Sequence, residues 1–450
     1  MGAANILVIP VWFTDSGNYI STGKKDAIKA DIETAYFGTN EETGWRSVKS
    51  FYEEESHGAL TLTGTVSGWY SAGNNSSYYG QDDGYVTKTT TLVRNATDWY
   101  FNTYNTSDKR KNYDKDGDGF IDSVMLIYAA PDHQALGNKN LDNLWAYCYW
   151  LGGTSSTRNP NPNVFFWASY DFMYSSNKAT ERTGKTNYAN GDTTHCTIDA
   201  HTYIHEMGHV FGLEDYYDYS GKYSPAAGFS MQDNNVGGHD PFSSYALGWG
   251  SAYIPTETTT IDLKPFAETG EMILLSPNPN AYNSPFDEYL LLEYYTPTGL
   301  NKMDCDYQYG GRYPQGPKER GIRLWHVDAR LAVNKQIISN PPDGSNYNIQ
   351  MAMSNTDYSN DVSSGYLSPL GNGNYDYNIL QLIRNDRYTD YKPNTDLTSS
   401  NLYKSGSFNI DKVKKQFVNQ GKFNNGNDIG FTFTINALDE YRASITVTKL

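Results

Sequence analysis

Cysteine is scarce in this sequence. The chain has 450 residues and only 3 cysteines, at Cys148, Cys196 and Cys305. Their spacing matches no zinc knuckle and no disulfide framework, and three thiols can form at most one bridge within the chain. The cysteine content therefore excludes a small, disulfide-stapled scaffold and leaves the redox compartment open.

Long apolar runs are also missing. No stretch reaches the ~18 consecutive apolar residues that a membrane-spanning helix needs, so we expect no membrane span. The start of the chain, Met1 to Ala4, leads into the apolar stretch Ile6–Phe13 with no basic region before it. We therefore expect no signal peptide here, although a trimmed chain would begin in the same way.

Basic residues are outnumbered by acidic ones. Lys plus Arg number 35, Asp plus Glu number 51, and the net charge is −16. Such a balance argues against a protein that binds nucleic-acid phosphates, and it leaves carboxylates available for hard cations such as calcium. Because hydrophobic residues make up 38% and charged residues 19%, we expect a packed core rather than disorder.

The hydrophobic pattern changes along the chain. Its first part mixes predicted strands and helices: Ile6–Phe13, Leu60–Tyr70, Ser123–Ala130 and Val164–Met173 as strands, and Lys24–Phe37, Trp45–Glu55, Thr87–Tyr104 and Thr197–Phe211 as helices. Later stretches are strand-like and separated by long polar loops: Thr258–Leu263, Met272–Leu275, Tyr289–Tyr295, Gly321–Val327, Ile349–Met353, Gly430–Ile435 and Arg442–Lys449. This pattern predicts an α+β protein with a first domain at 1–253 and a β-rich, sandwich-like domain at 254–450. His326 and Asp328, at the end of one late strand, are expected to form an internal hydrogen-bonded pair.

A metal-binding motif lies inside the predicted helix Thr197–Phe211. His205, Glu206 and His209 form an HExxH sequence. The four-residue spacing puts both imidazoles on one helix face, one turn apart, where they can bind one zinc ion at roughly 2.0–2.1 Å. Glu206 lies beside the first ligand and can reach a zinc-bound water without binding the metal. The alternative is an amphipathic helix with two surface histidines.

The residues after the motif extend it. Gly212 follows His209 at the spacing of the HExxHxxGxxH pattern of metzincins, but Asp215 stands where that pattern has its third histidine. An aspartate oxygen binds zinc well, so Asp215 is the expected third ligand, and Glu214 or a distant glutamate is the alternative. Met231, further along the chain, fits the methionine turn that metzincins place beneath the metal; by itself it would be an ordinary core residue.

A second candidate cation site precedes the strand Ser123–Ala130. It has carboxylates at positions 1, 3, 5 and 9 of a calcium-loop pattern and a carbonyl at position 7: Asp114, Asp116, Asp118, Asp122 and Phe120. Position 12 holds Met125 instead of the usual glutamate, and the loop leads into a strand, so we do not predict an EF-hand. The alternative is a turn whose carboxylates cap local backbone amides.

The motif region resembles that of the immune inhibitor A type of secreted zinc metallopeptidases. The resemblance rests on HEMGHVFGLEDYYD at His205–Asp218, on GFSM at Gly228–Met231 and on DPFSSYALGW at Asp240–Trp249. Weaker similarity extends over most of the chain, including Asp116–Asp122 and Gly321–Asp328. It implies a secreted, zinc-dependent endopeptidase with a metzincin-like catalytic domain, a mixed twisted sheet and an active-site helix. The family usually also has a removable pro-segment.

The expected mechanism follows from zinc chemistry. Zinc lowers the pKa of its water towards ~7 and polarises the peptide carbonyl, while Glu206 passes the water's proton to the leaving amine. Many metzincins stabilise the oxyanion with a tyrosine soon after the methionine turn. Asp233 occupies the nearby position here, which leaves Tyr245 and His239 as candidate donors.

Two further hypotheses compete with an endopeptidase. One is a catalytically silent adhesin that retains the fold, although such a protein would not need Glu206. The other is a zinc hydrolase that acts on non-protein substrates. For the endopeptidase we expect protein or peptide substrates, zinc and a possible additional calcium ion as cofactors, no nucleic-acid partner, an extracellular location and, by default, a monomer.

Overall fold

The computed structural model describes residues 2–81, 86–104, 107–174, 198–218, 224–282, 284–306, 309, 313–332, 378–386 and 397–450. These residues form a mixed α/β protein with several sheets. They group into two compact units, Met1–Gly212 and Leu213–Leu450. No helix in the described ranges combines the length and apolarity that crossing a bilayer would require.

The strands are β1 (Gly2–Trp12), β2 (Leu60–Val66), β3 (Tyr70–Ser71), β4 (Phe120–Ile121), β5 (Ser123–Tyr128), β6 (Tyr147–Trp150), β7 (Asn161–Pro162), β8 (Val164–Ser169), β9 (Ser251–Tyr253), β10 (Thr259–Leu263), β11 (Glu271–Leu275), β12 (Glu288–Tyr295), β13 (Gly321–Asp328), β14 (Leu380–Ile383), β15 (Gly406–Ser407), β16 (Phe431–Leu438) and β17 (Ala443–Lys449). The α-helices are α1 (Lys25–Phe37), α2 (Asn40–Thr43), α3 (Val48–Glu55), α4 (Ser76–Gly80), α5 (Thr87–Thr103), α6 (His201–Val210), α7 (Pro241–Ala246), α8 (Phe266–Thr269), α9 (Lys302–Asp306) and α10 (Ile410–Val413). Short 3-10 helices lie at Ser16–Asn18, Thr22–Lys24, Ser107–Tyr113, Lys139–Leu141, Tyr170–Tyr174, Gly299–Asn301, Ala329–Ala332, Ser399–Asn401 and Lys414–Gln416.

The first unit is built on a six-stranded sheet with the order β2-β1-β5-β8-β6, in which β3 also pairs with β1. Neighbouring strands are parallel except at one edge, where β6 runs antiparallel to β8. Every residue of β5 is buried, as expected for a central strand with both faces covered. Helix α6 packs against β8 and β6, so the metal-binding motif lies beside the antiparallel edge.

The second unit contains two antiparallel-rich sheets. One has the order β14-β13-β12-β11-β9 and the other β10-β17-β16-β15. A single apolar cluster contains Ile273 and Leu292 from the first sheet together with Phe433 and Ile445 from the second. The opposite face of the first sheet contributes to another cluster, which also contains residues from 216 to 242 of the region after α6. The boundary after residue 253 stays a prediction, as does the sandwich-like form of 254–450.

Long periodic elements agree with the sequence analysis more closely than short ones. Predicted helices at Lys24–Phe37 and Thr87–Tyr104 are confirmed as α1 and α5. The predicted strand Val164–Met173 is too long, because the chain turns into a 3-10 helix at Tyr170. The motif helix begins at His201, later than predicted. The predicted strand Ile349–Met353 lies outside the described residues.

The expected direct pair of His326 and Asp328 is wrong. His326 Nε2 lies 3.0 Å from Glu288 Oε1, while Asp328 accepts hydrogen bonds from Arg330 Nε at 2.7 Å and from Asn424 Nδ2 at 3.0 Å. Two residues on the same face of one strand stand almost 7 Å apart along it, too far for these side chains to meet directly. Glu288 faces Asp328 across the β12–β13 ladder, and Arg330 joins the two carboxylates by donating from Nη2 to Glu288 Oε2 at 2.8 Å and to Asp328 Oδ2 at 2.7 Å.

Candidate metal centre

Helix α6 has defined ends. At its start, Asp199 Oδ1 accepts a hydrogen bond from the His201 backbone N–H at 2.9 Å. At its end, Gly212 has φ = 90°, and its N–H donates to the His209 carbonyl at 2.9 Å. A left-handed glycine just beyond the last turn ends a helix at no side-chain cost, so Gly212 terminates α6.

Buried tyrosines fix α6 from several sides. Tyr52 donates its hydroxyl to the Ile204 carbonyl at 2.6 Å, and its ring packs against Phe211 with centroids 5.0 Å apart. Tyr203 donates its hydroxyl to the Ser169 carbonyl of β8 at 2.8 Å and stacks on Tyr36 at 5.5 Å. These contacts hold the helix in one rotational setting, which fixes the direction of its histidines.

His205 and His209 face one another across one helical turn. Their Nε2 atoms are 3.3 Å apart, and their rings are nearly perpendicular at 88°. Asp215 follows shortly after the helix, and one ligand atom from each of His205, His209 and Asp215 lies within 4.8 Å of the other two. Both histidines are half-buried and Asp215 is buried. The structure therefore brings together the three side chains that the sequence singled out as metal ligands.

Glu206 lies in a poorly solvated environment. Only 6% of the surface of Glu206 is exposed to solvent. Burial raises the pKa of the Tyr36 and Tyr52 hydroxyls well above their ordinary value; the negative charge of Glu206 raises that of Tyr36 further, and the charges of Glu55 and then Glu206 raise that of Tyr52. The pKa of the Cys148 thiol on β6 is raised by burial and then by the charge of Glu206. Glu206 is thus close enough to these groups to act on them electrostatically in a medium that screens charge weakly.

The chain after α6 is tied to the turn that contains Met231. The N–H of Tyr216, the residue after Asp215, donates to the Gln232 carbonyl at 2.7 Å. Met231 is fully buried, and its N–H donates to the Gly238 carbonyl at 3.1 Å. Asp233 Oδ2 accepts from the Gly228 N–H at 3.0 Å, so this aspartate supports the turn. Glu214, the alternative third ligand, is also buried.

The two candidate oxyanion donors lie in different surroundings. Tyr245, on α7, packs against the apolar cluster that contains Phe229 and Trp325; burial raises the pKa of Tyr282, and the Tyr245 hydroxyl raises it further. His239 is 2% exposed and directly precedes Asp240, the N-cap of α7. The assignment of Tyr245 or His239 as the oxyanion donor stays a prediction.

The aspartate loop brings together only part of its predicted set. Oxygens of Asp114, Asp116 and Asp122 lie within 4.8 Å of one another, and Asp118 is not in this group. Asp118 Oδ1 instead accepts the Phe120 N–H at 2.7 Å. Asp122 accepts the Lys115 and Asn5 N–H groups at 2.8 and 2.7 Å.

Burial raises the pKa of Asp122 to about 6, against the lowering effect of its two backbone hydrogen bonds, and the charges of Asp116 and Asp114 raise it further. Burial also raises the pKa of Asp118, while the bond from the Phe120 N–H lowers it.

Sequence reasoning missed several residues that shape the centre. Tyr36 and Tyr52 gave no local signal, because their roles depend on packing between helices distant in the sequence. The signal at Asp240 was present: an aspartate followed by a proline is the pattern of an N-cap and first helical residue. The structure confirms that pattern, since Asp240 caps α7 and Pro241 begins it.

Comparisons with known proteins agree with the geometry. Residues 4–238, just over half of the chain, match the family described as immune inhibitor A peptidase M6, catalytic domain. The pre-pro-metalloprotease PrtV of Vibrio cholerae serotype O1 is 29% identical over 242 residues, which are 48% of this chain and 24% of that protein. Immune inhibitor A of Bacillus thuringiensis subsp. alesti is 26% identical over 212 residues, which are 42% of this chain and 28% of that protein.

The match to these curated relatives spans about a quarter of their length. The family match itself covers α6 with its histidines, Asp215 and the turn at Met231. The chain therefore belongs to the immune inhibitor A peptidase family M6, a family of metallopeptidases.

Proposed function

We propose that this protein is a zinc-dependent endopeptidase that hydrolyses peptide bonds in proteins outside the cell. The observation that carries the proposal is the grouping of His205, His209 and Asp215 around one point, with Glu206 beside it, in a member of a metallopeptidase family. The extracellular location rests on the family resemblance and on the name of the Vibrio relative, which describes it as a pre-pro-metalloprotease.

The donor set fits zinc. Two imidazole nitrogens and one carboxylate are a usual set for a catalytic zinc ion, which keeps one position open. Two nitrogens that share a tetrahedral zinc at about 2.0–2.1 Å lie about 3.3–3.4 Å apart. The Nε2 atoms of His205 and His209 are 3.3 Å apart, so the imidazoles need little rearrangement to share an ion. Zinc would supply Lewis acidity, which polarises a peptide carbonyl and acidifies water.

Glu206 would carry the proton. Its carboxylate would accept a proton from the attacking water and later deliver it to the leaving amine nitrogen. The buried surroundings of Glu206 suit this work, because poor solvation makes a carboxylate a stronger base. Its place one residue after His205 turns it away from the two ligand positions while keeping it beside them.

The finer fold assignment belongs to the same proposal. We infer a metzincin-like arrangement in which Asp215 is the third ligand, with Glu214 as the alternative, and Met231 forms the methionine turn. The buried position of Met231 and the bond from the Tyr216 N–H to the Gln232 carbonyl support this arrangement. For residues 254–450 we infer a sandwich-like domain, supported by the apolar cluster that its two sheets share.

A calcium ion at the aspartate loop is a second, separate prediction. Three carboxylates with oxygens within 4.8 Å of one another repel when ionised, and Asp114 Oδ1 is buried without a hydrogen-bond partner. Against this, several other carboxylate oxygens of the loop accept backbone N–H groups, as the alternative of a plain turn requires. Calcium would act here on stability and not on the peptidase chemistry.

Metal analysis combined with a hydrolysis assay tests the proposed function. Purified protein should contain one zinc per chain and cleave casein or a quenched internal peptide. A chelator should remove both the zinc and the cleavage, and added zinc should restore them. Bound zinc without cleavage of any protein would favour the silent adhesin, and cleavage of non-peptide substrates alone would favour the other zinc hydrolase.

A further inference from the structure

We propose that Asp240 is a positioning residue for the Asp215 carboxylate, acting through Ser243 and Tyr216 and through the turn that contains Met231. The inference rests on the proposed function, in which Asp215 binds the metal. It adds a residue that lies 25 positions further along the chain and touches no ligand directly.

Asp240 is a buried carboxylate with three hydrogen bonds. It is 1% exposed. Its Oδ2 accepts the hydroxyls of Ser230 and Ser243, each at 2.7 Å, and its Oδ1 accepts the Ser243 backbone N–H at 2.9 Å. One side chain therefore joins the start of α7 to the residue that directly precedes Met231.

The same network reaches the residue after Asp215. The Tyr216 hydroxyl lies 3.0 Å from Ser243 Oγ. Ser243 has one hydroxyl proton, which it donates to Asp240, so Tyr216 must be the donor in its bond with Ser243. The result is a directed chain from Tyr216 through Ser243 to Asp240, in which each bond polarises the next.

Tyr216 is held at its backbone as well as at its side chain. Its N–H donates to the Gln232 carbonyl at 2.7 Å, beside Met231, and its ring is fully buried. With both ends of Tyr216 fixed, the backbone that carries Asp215 has little freedom to move. Asp240 is thus linked by hydrogen bonds to the Met231 turn through Ser230. It is also linked to the backbone beside Asp215 through Ser243 and Tyr216.

If this network positions Asp215, its loss should lower the affinity of the protein for zinc. A ligand carboxylate that is already in place when the ion arrives loses little conformational freedom on binding, and removing the partners of a ligand typically lowers metal affinity ~10–100-fold. A merely structural network would instead lower stability without a selective effect on zinc.

A pair of matched tyrosine variants separates the two outcomes. Tyr216→Phe removes the hydroxyl that contacts Ser243. Tyr289→Phe is the control, because Tyr289 is equally buried in the same apolar cluster and lies close enough to Asp240 and Tyr216 to interact with them electrostatically, but it donates its hydroxyl to the Pro285 carbonyl at 2.7 Å and not to a member of the network. Zinc affinity is measured by competition with a chromogenic chelator, well below each variant's melting temperature.

We expect both variants to melt at similarly reduced temperatures, but only Tyr216→Phe to bind zinc more weakly, by about tenfold. Equal zinc affinities of the two variants would overturn the proposal. Asp240→Asn provides a second test: its amide oxygen can still accept the Ser243 N–H, but its NH₂ group cannot accept the two hydroxyls. Its zinc affinity should fall further, by up to about 100-fold, and an unchanged affinity would again overturn the proposal.

Asp215→Ala distinguishes this inference from the function on which it rests. If Asp215→Ala binds zinc as tightly as the unmodified protein, the proposed ligand is wrong and the positioning role falls with it. If Asp215→Ala loses zinc while Tyr216→Phe and Asp240→Asn keep full affinity, only the positioning role is wrong. If Asp240→Asn does not fold, the tyrosine pair decides the outcome.

Discussion

Within the part of the chain that the structure describes, three metal-ligand side chains lie together in two places, and the two places differ in kind. At the helix, His205, His209 and Asp215 combine two imidazoles with one carboxylate. In the loop, Asp114, Asp116 and Asp122 are all carboxylates, and Asp116 is exposed. In both groups the ligand atoms lie within 4.8 Å of one another. Distance alone therefore does not tell which of them holds an ion.

What separates them is the neighbourhood of the donor atoms. Asp122 accepts two backbone N–H groups, and Asp116 Oδ1 accepts the Asp118 N–H at 3.1 Å. Those hydrogen bonds already satisfy oxygens that a cation would need, so the carboxylates of the loop have a structural role without calcium. The two histidines instead present their Nε2 atoms to one another, and two neutral imidazoles gain more from a shared cation than from one weak mutual hydrogen bond.

The largest expected effect is at Glu206. Glu206→Ala should lower kcat/KM for a quenched peptide by at least ~10²–10⁴-fold, because the general base is gone, while zinc content stays at one per chain. Glu206→Gln, which keeps the size of the side chain, is the matched variant and should behave alike. Loss of zinc together with activity would mean that Glu206 is itself a zinc ligand, in addition to the residues grouped at the helix.

The second effect is on zinc binding at Asp215. Asp215→Ala should weaken zinc binding by more than the ~10–100-fold typical of losing a ligand's supporting partner, since a bond and a neutralising charge are both lost. Glu214→Ala is the control, one residue away and equally buried. Competition with a chelator measures both. Should Glu214→Ala lose zinc and Asp215→Ala keep it, the third ligand is Glu214.

The third effect is smaller and concerns the loop. If calcium binds the folded state, millimolar calcium should raise the melting temperature of chelator-treated protein by a few degrees, on the order of what mass action allows. Asp116→Asn should remove this rise and spare zinc, whereas Asp118→Asn, outside the group of three, should retain most of it. The absence of any rise in the unmodified protein would establish the loop as a plain turn.

The smallest effect is a pH dependence. The folded-state pKa of Asp122, about 6, lies above the ~3.9 of an unfolded aspartate, so the native state holds this proton more tightly. The contribution of Asp122 to stability is therefore full below pH ~4 and is lost as the pH rises towards 6. Urea unfolding between pH 4 and 7 without calcium should show this loss, and Asp122→Asn should flatten it. A rising contribution over that range would mean that the hydrogen bonds to Asp122 outweigh its burial.

Local rules explain why the sequence alone singled out the three side chains that the structure groups at the helix. The spacing of His205 and His209 and the terminating glycine are properties of a single helix, so neighbours in the sequence suffice to predict them. Glu206 was predicted as a residue, but its dry surroundings depend on Tyr36 and Tyr52, which come from α1 and α3. Such tertiary contacts leave no periodic signal.

Short elements were missed for a related reason. Strand β6 has only four residues, half of them exposed, so it is shorter and less buried than the continuous apolar runs that marked β1 and β5. It forms because β8 offers it a free edge. In the aspartate loop, the structure groups oxygens of Asp114, Asp116 and Asp122, whereas Asp118 bonds to a nearby amide, as the alternative of a plain turn expects.

The apolar cluster that links the region after α6 to the first sheet of the second unit has a consequence for dissecting the protein. Ala226, Phe229 and Phe242 share this cluster with Leu291 and Trp325 of β12 and β13. A polypeptide cut after residue 253 would leave the first three in water and lose the partners that shape the Met231 turn. Heterologous production of the peptidase part alone should therefore yield aggregated material. A chain that evolved with only one of the two parts would expose the same apolar surface to water.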